Sequence, residues 1–197
     1  MAVERDEEGC SATTTIQTER LVLRMPDARE RAALALLAAS PRVAANLIVG
    51  PFAGAVGQRR EFALVERSGG AIVGGAAYWP VADRRAAVEL AGYLGEDHWG
   101  RGYGTEAMQA LIDRAFADGD VSVVLCSNRA SNTRARRVIE KCGFQFRGTG
   151  MARAPAPQGA VPVECFLLGR RNWESLKAWG AGSKPGRNAD VSRGHAA

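Results

Sequence analysis

The chain is short of metal ligands. Its four cysteines are Cys10, Cys126, Cys142 and Cys165, and its two histidines are His98 and His195. No two cysteines form a CxxC pair, so zinc-finger and dithiol-redox readings fail and no resident metal is expected. Two of the cysteines sit inside apolar stretches, as free thiols do in a reducing cytosol. No apolar run approaches the ~20 residues that a membrane span needs. The opening stretch, Met1 to Glu8, is acidic and has no apolar centre, so a secretory leader is not expected there. Aromatic residues make up only 7% of the chain and are not interleaved with basic ones. That argues against a stacking platform for nucleic acid, despite a net charge of +5. The basic excess equally suits a polyanionic cofactor.

The residues that are present suit one domain. A chain of 197 residues, 46% of them hydrophobic, buries a full core without staples. Residues 1–17 read as a disordered lead-in, 18–179 as a single domain and 180–197 as a disordered tail. Within the domain, Leu21 and Leu23 share one face of a strand over Arg20 to Met25. Ala28 to Ala39 has helical spacing, whereas Pro41 to Gly57 has no clear period. Glu61 to Glu66 and Ala71 to Trp79 form a hairpin around Ser68-Gly69-Gly70. Ala86 to Leu94 is a further strand. Thr105 to Ala117 carries the apolar stripe Met108, Leu111, Ile112, Ala115, Phe116 of a helix ended by Gly119-Asp120. Val121 to Cys126 reads as a short buried strand. Ser131 or Asn132 caps the next helix, whose inner face is Ala135, Val138, Ile139 and Cys142, and Gly143 stops it. Phe144 to Met151 and Val161 to Leu168 close the pattern as strands. The class is α/β with a mixed sheet, and not a regular doubly wound fold.

Gly100, Gly102 and Gly104 fall in five residues between a strand and a helix. Such a turn exposes backbone N–H groups at the positive end of a helix dipole, which makes an anion site. A P-loop requires Gly-Lys-Ser/Thr, which is absent. A dinucleotide site requires an acidic residue about twenty positions on. The next strand ends Leu125-Cys126-Ser127, with no carboxylate.

Around this loop, Trp99-Gly100-Arg101-Gly102-Tyr103-Gly104-Thr105-Glu106-Ala107 resembles the phosphate motif of the GNAT acetyltransferase superfamily, in the branch that includes ribosomal-protein N-terminal acetyltransferases. Three further stretches agree in order. They are Thr18-Glu19-Arg20-Leu21-Val22-Leu23-Arg24, then Glu89 to Leu94, then Asn132-Thr133-Arg134-Ala135 followed by Glu140-Lys141-Cys142-Gly143-Phe144. The resemblance covers about residues 18 to 175. Two positions depart from it, Ile139 and Ala135, whereas a Trp at position 99 is usual in the branch. Trp99 stands where most of the superfamily has Gln or Arg. Ile139 replaces a Tyr that serves as acid for the departing thiolate, and Ala135 replaces a Ser.

The resemblance implies a mostly antiparallel central sheet flanked by helices and splayed at the cofactor site. It implies a cytoplasmic N-acetyltransferase in which an amine attacks the thioester of acetyl-CoA directly, with no metal. The cofactor-binding residues implied are Leu94, Trp99, Gly100, Arg101, Gly102, Tyr103, Gly104, Thr105 and Asn132. The backbone N–H near Leu94 would polarise the thioester carbonyl, and Asn132 would cap its helix or meet the pantetheine arm. Arg101, Arg134, Arg137 and Lys141 are candidates for the phosphates. Glu89 is the candidate base. The acceptor is a protein N-terminus or a small amine, with neither nucleic acid nor membrane as partner, and a homodimer stays open. The alternative is a non-catalytic acyl-CoA-binding module of the same fold.

Overall fold

A computed structural model describes residues 15–48, 59–82, 84–155 and 157–182. Eight strands share one sheet: β1 (Ile16–Gln17), β2 (Leu21–Arg24), β3 (Arg60–Glu66), β4 (Ile72–Pro80), β5 (Ala87–Leu94), β6 (Val123–Arg129), β7 (Gln145–Arg153) and β8 (Ala160–Gly169). Their order is β1-β2-β3-β4-β5-β6-β8-β7. Every neighbouring pair is antiparallel except β5 with β6. The helices are α1 (Ala28–Ala39), α2 (Pro41–Ala44), α3 (Tyr103–Ala117), α4 (Thr133–Lys141) and α5 (Arg170–Gly182).

Period-2 alternation sets the faces. Leu21 and Leu23 are fully buried and join Phe62, Leu64, Tyr78, Val88 and Leu90 on one side of the sheet. α3 lays Ala107, Leu111, Ile112, Ala115 and Phe116 against that side, and α4 adds Ile139 and Cys142. Full burial of Leu111, Ile112 or Phe116 contributes about 1.5–3 kcal/mol each before chain entropy is counted. The other side, which carries Glu61, Trp79, Glu89 and Tyr93, faces α1, where the Tyr93 hydroxyl donates to the Leu34 carbonyl at 3.0 Å.

Several boundaries differ from the sequence reading. Ile16 and Gln17 pair with Leu23 and Val22, so the sheet begins inside the expected lead-in. α5 has no counterpart among the expected elements and runs through residues 180–182 of the expected tail. Residues 1–14 and 183–197, the rest of those two segments, lie outside the described residues, as does 49–57 of the stretch without a clear period. Pro41 opens α2, where its missing N–H costs nothing. α3 starts two residues before the expected Thr105, because Gly102 takes the cap position. β6 runs on to Arg129, because it continues to pair with β8 after leaving β5.

That departure shapes the molecule. β5 and β6 are in register only over Ala87–Leu90 and Val123–Cys126. Beyond it, Ala91 to Leu94 stay with β4 while Ser127 to Arg129 stay with β8. The sheet is therefore split along its one parallel seam.

Candidate active site

The split opens a cleft of about 1340 Å³, walled by Ala91–Leu94 on one side and Cys126–Asn128 on the other. Along a strand, the N–H and C=O of one residue point the same way, and those of the next point the opposite way. The Gly95 N–H donates to the Val73 carbonyl at 2.9 Å, toward β4. The Leu94 carbonyl and the Leu94 N–H consequently point away from β4, into the split. The carbonyl is taken by the Trp99 indole, whose Nε1 donates to it at 2.9 Å. Trp99 itself is flanked by the guanidinium groups of Arg42 (5.5 Å) and Arg134 (5.2 Å). The Trp that departs from the superfamily motif thus fastens the loop to the end of β5.

Gly100 (φ +76°) and Gly102 (φ +85°) occupy left-handed backbone, which is strained for other residues. Gly104 is helical, and a Cβ there would sit 3.6 Å from Leu94 and Val138, an ordinary contact. The loop alternates. Gly100, Gly102, Gly104 and Thr105 face the cleft, whereas the side chains of Arg101, Tyr103 and Glu106 do not line it. The Arg101 and Tyr103 side chains, expected at the cofactor, lie outside the cleft lining. The Arg101 side chain is exposed, and the buried Tyr103 sends its hydroxyl to the Glu66 carboxylate. Behind the loop, Glu106 accepts from Thr18 Oγ1 (2.5 Å), Arg20 N (2.7 Å) and Arg20 Nε (2.8 Å). Burial pushes the Glu106 carboxyl up, but these donors outweigh it and hold it below the usual carboxylate range.

Asn132 caps α4, its side-chain oxygen accepting from Ala135 N at 3.0 Å, and it also lines the cleft. Beside it, Asn128 is 5% exposed and donates through Nδ2 to the carbonyls of Arg129 (2.7 Å) and Asn132 (3.3 Å). Its Oδ1 is buried and finds no hydrogen-bond partner among the described residues. Arg134, Arg137 and Lys141 complete this wall. An unfilled acceptor, an open strand edge, a glycine-lined helix start and three cations fit a long amide-bearing polyanion such as coenzyme A.

On the α1 side the cleft is lined by Arg31, Leu34, Arg59, Glu61, Ala91 and Tyr93. Glu61 pairs with Arg31 (3.1 Å) and Arg59 (3.2 Å). Glu89 shares this face, opposite Trp79 on β4, but lies behind the cleft wall at 2% exposure. Burial raises its carboxyl to about 7, against the pull of a hydrogen bond from Trp79 and the charge of Arg59. Its Oε2 has no hydrogen-bond partner among the described residues. Glu89 is therefore neither a surface carboxylate nor a closely ion-paired one. Ile139 is buried in the core and offers no proton, and Ala135 offers only its capped N–H. Cys126 lines the cleft, but burial, with the Glu89 charge adding, drives its thiol far above the normal range. Among the described residues no three His, Cys, Asp or Glu side chains gather as a metal site.

Sequence reasoning brought Leu94, Trp99, the glycines and Asn132 to one cleft. It missed Asn128, Trp79 and the Arg20–Glu106 pair. Arg20 and Glu106 both stand in motifs that the family resemblance covers, but nothing in a single chain marks two residues 86 apart as partners.

Residues 20–145 match the family described as Acetyltransferase (GNAT) domain. An N-acetyltransferase of Bacillus licheniformis, p20, is 23% identical over 174 residues, covering 81% of this chain and 98% of its own. Aminoglycoside N(6')-acetyltransferase type 1 of Klebsiella pneumoniae is 40% identical over 50 residues, 25% of each chain. Among solved structures, Mycobacterium smegmatis RimJ in complex with CoA-disulfide superposes with a TM-score of 0.69 at 16% identity, over 86% of this chain and 96% of its own. With the family match spanning more than half of its length, the chain belongs to the GNAT acetyltransferases, enzymes that take their acetyl group from acetyl-CoA.

Proposed function

We propose that this enzyme acetylates a primary amine, with the α-amine of a protein N-terminus as the preferred acceptor. The observation that carries the reading is Glu89, a buried carboxylate raised to about 7 on the acceptor face. An amine must be neutral to attack. An α-amine, with a reference pKa near ~8, is about one-tenth neutral at pH 7, whereas lysine near ~10.4 is neutral to less than about one part in a thousand. A base poised near neutrality suits the first and is weak for the second. Because Glu89 stands behind the wall, it would take the proton through water, alongside Ala91 and Tyr93.

Acetyl-CoA supplies the activated acetyl group. The chain's own residues orient it: Gly100, Gly102, Gly104 and Thr105 hold the pyrophosphate at the α3 start, with the backbone of Trp99, Arg101 and Tyr103 completing that turn. Asn132 and the split edge of β5 take the pantetheine arm. The Leu94 N–H, aimed into the split, donates to the thioester carbonyl oxygen where negative charge grows. The depressed acidity of Cys126 supports direct attack by the amine over an acyl-cysteine route. Free thiols at Cys126, Cys142 and Cys165 support a cytosolic location.

A small-molecule amine is the second reading, favoured by the aminoglycoside acetyltransferase among the relatives and by Glu61 on the acceptor wall. Thiol release from acetyl-CoA, measured against α-amine peptides, lysine peptides and small polyamines including aminoglycosides, decides between them. Release with α-amine peptides alone is expected. Release with small amines alone overturns the α-amine reading. CoA binding without release on any amine would leave the non-catalytic module.

A further inference from the structure

We propose that Arg20 is a positioning residue for donor binding: it latches the glycine loop from behind and sets it in its anion-holding shape before acetyl-CoA arrives. This rests on the reading of that loop as the pyrophosphate site. Arg20 lies outside the cleft lining, on the far side of the loop. From the turn before β2 its guanidinium makes three contacts with the loop and helix start. Nη1 donates to the Arg101 carbonyl at 2.8 Å, Nε donates to Glu106 Oε2 at 2.8 Å, and its plane lies 4.9 Å from the Tyr103 ring centre. Nη2 pairs with Glu106 at 2.8 Å and reaches within 3.1 Å of where a Gly102 Cβ would stand. Arg101, Tyr103 and Glu106 are thereby engaged on the side opposite the cleft.

Two physical consequences make this a functional device. A segment with three glycines in five residues loses more chain entropy on ordering than the same length without glycine. Contacts formed in the free enzyme bear that cost ahead of binding, which tightens the ligand. Charge is also balanced. Glu106 lies one turn into α3, close to the phosphate position. Unpaired, it would repel a polyanion; paired with Arg20, it holds the loop while adding no net charge. The forked geometry is specific to arginine, since lysine cannot meet the Arg101 carbonyl and Glu106 together.

The test compares two donors, acetyl-CoA and S-acetylpantetheine, which lacks the pyrophosphate. Arg20→Met should raise the KM for acetyl-CoA about tenfold, the size of a lost charge-assisted hydrogen bond. It should leave kcat at saturation within about twofold and kcat/KM for S-acetylpantetheine unchanged. Arg20→Lys should fall between. Adding Glu106→Gln to Arg20→Met should recover part of the acetyl-CoA KM, because it removes the stranded charge. Equal losses with both donors, or no loss with acetyl-CoA, would overturn the latch. If Arg20→Met does not fold, the same comparison is made with Arg20→Lys and Glu106→Gln: a loss confined to acetyl-CoA supports the latch, and an equal loss with both donors overturns it. The pyrophosphate reading fails separately, if the wild-type enzyme uses the two donors with equal kcat/KM.

Discussion

Glu89 illustrates what one residue carries and what it hides. Its place on a strand was legible from the sequence, and its role as base is what the family resemblance implies. Its environment was not, because the Trp79 partner is set by the register between β4 and β5. With its folded pKa near 7, above the 4.5 of the free side chain, the folded state binds more protons than the unfolded state between those values. Stability therefore falls as pH rises from about 4.5 to about 7 and is flat above, a penalty on the order of 3 kcal/mol once Glu89 is ionised. Glu89→Gln should consequently melt at a higher temperature than wild type at pH 8, with the advantage vanishing near pH 4. Its kcat/KM should fall and lose the rising limb near pH 7 expected of wild type. Matching rate profiles for the two proteins would remove Glu89 from the mechanism. Asn132, read from the sequence as a cap or a pantetheine ligand, is a cap in the structure. Asn132→Ala should cost about 1 kcal/mol in urea unfolding.

At the scale of elements, the glycine loop and α5 stand at opposite ends of legibility. The loop announced itself through composition, yet composition could not rank its glycines. Backbone angles do. Gly102→Ala must hold a left-handed conformation against Arg20 and should cost about 1–2 kcal/mol together with acetyl-CoA affinity. Gly104→Ala enters ordinary contact inside a helix and should be neutral, or stabilising by up to about 1 kcal/mol. Thermal melts and acetyl-CoA titrations of the two variants check this contrast. α5 escaped notice because its glycine-rich end resembles a tail and most of its surface is exposed. Its hold on the domain is local: Trp173 lies 5.0 Å from Phe116, and its indole donates to Asp113 at 2.7 Å. Trp173→Ala should cost about 2 kcal/mol in urea unfolding, the packing and the hydrogen bond together.

Across the whole molecule, the succession of strands along the chain, β1 apart, was legible from alternation and turns, whereas the placing of β8 between β6 and β7 was not, and the split was foreseeable only through family resemblance. No residue codes for it alone, since it arises where β5 and β6 follow different neighbours. The charge balance acts at this scale too. The cations along the α4 wall face a polyanionic donor, so the KM for acetyl-CoA should rise with sodium chloride, while the KM for S-acetylpantetheine stays level. The split has one more consequence. Within the sheet, a four-residue parallel seam is the backbone tie between β1–β5 and β6–β8, each of which is closed by its own antiparallel ladders. The sheet is therefore two ladder blocks joined by a short run of hydrogen bonds, over one continuous hydrophobic core. Amide protons of Val123 and Leu125, which point to β5 across that seam, should exchange faster than those of the antiparallel ladder between β3 and β4. A donor molecule seated across the gap bonds to both blocks at once. On adding CoA, their exchange rates should slow together and converge, as the ligand becomes the missing rungs of the ladder.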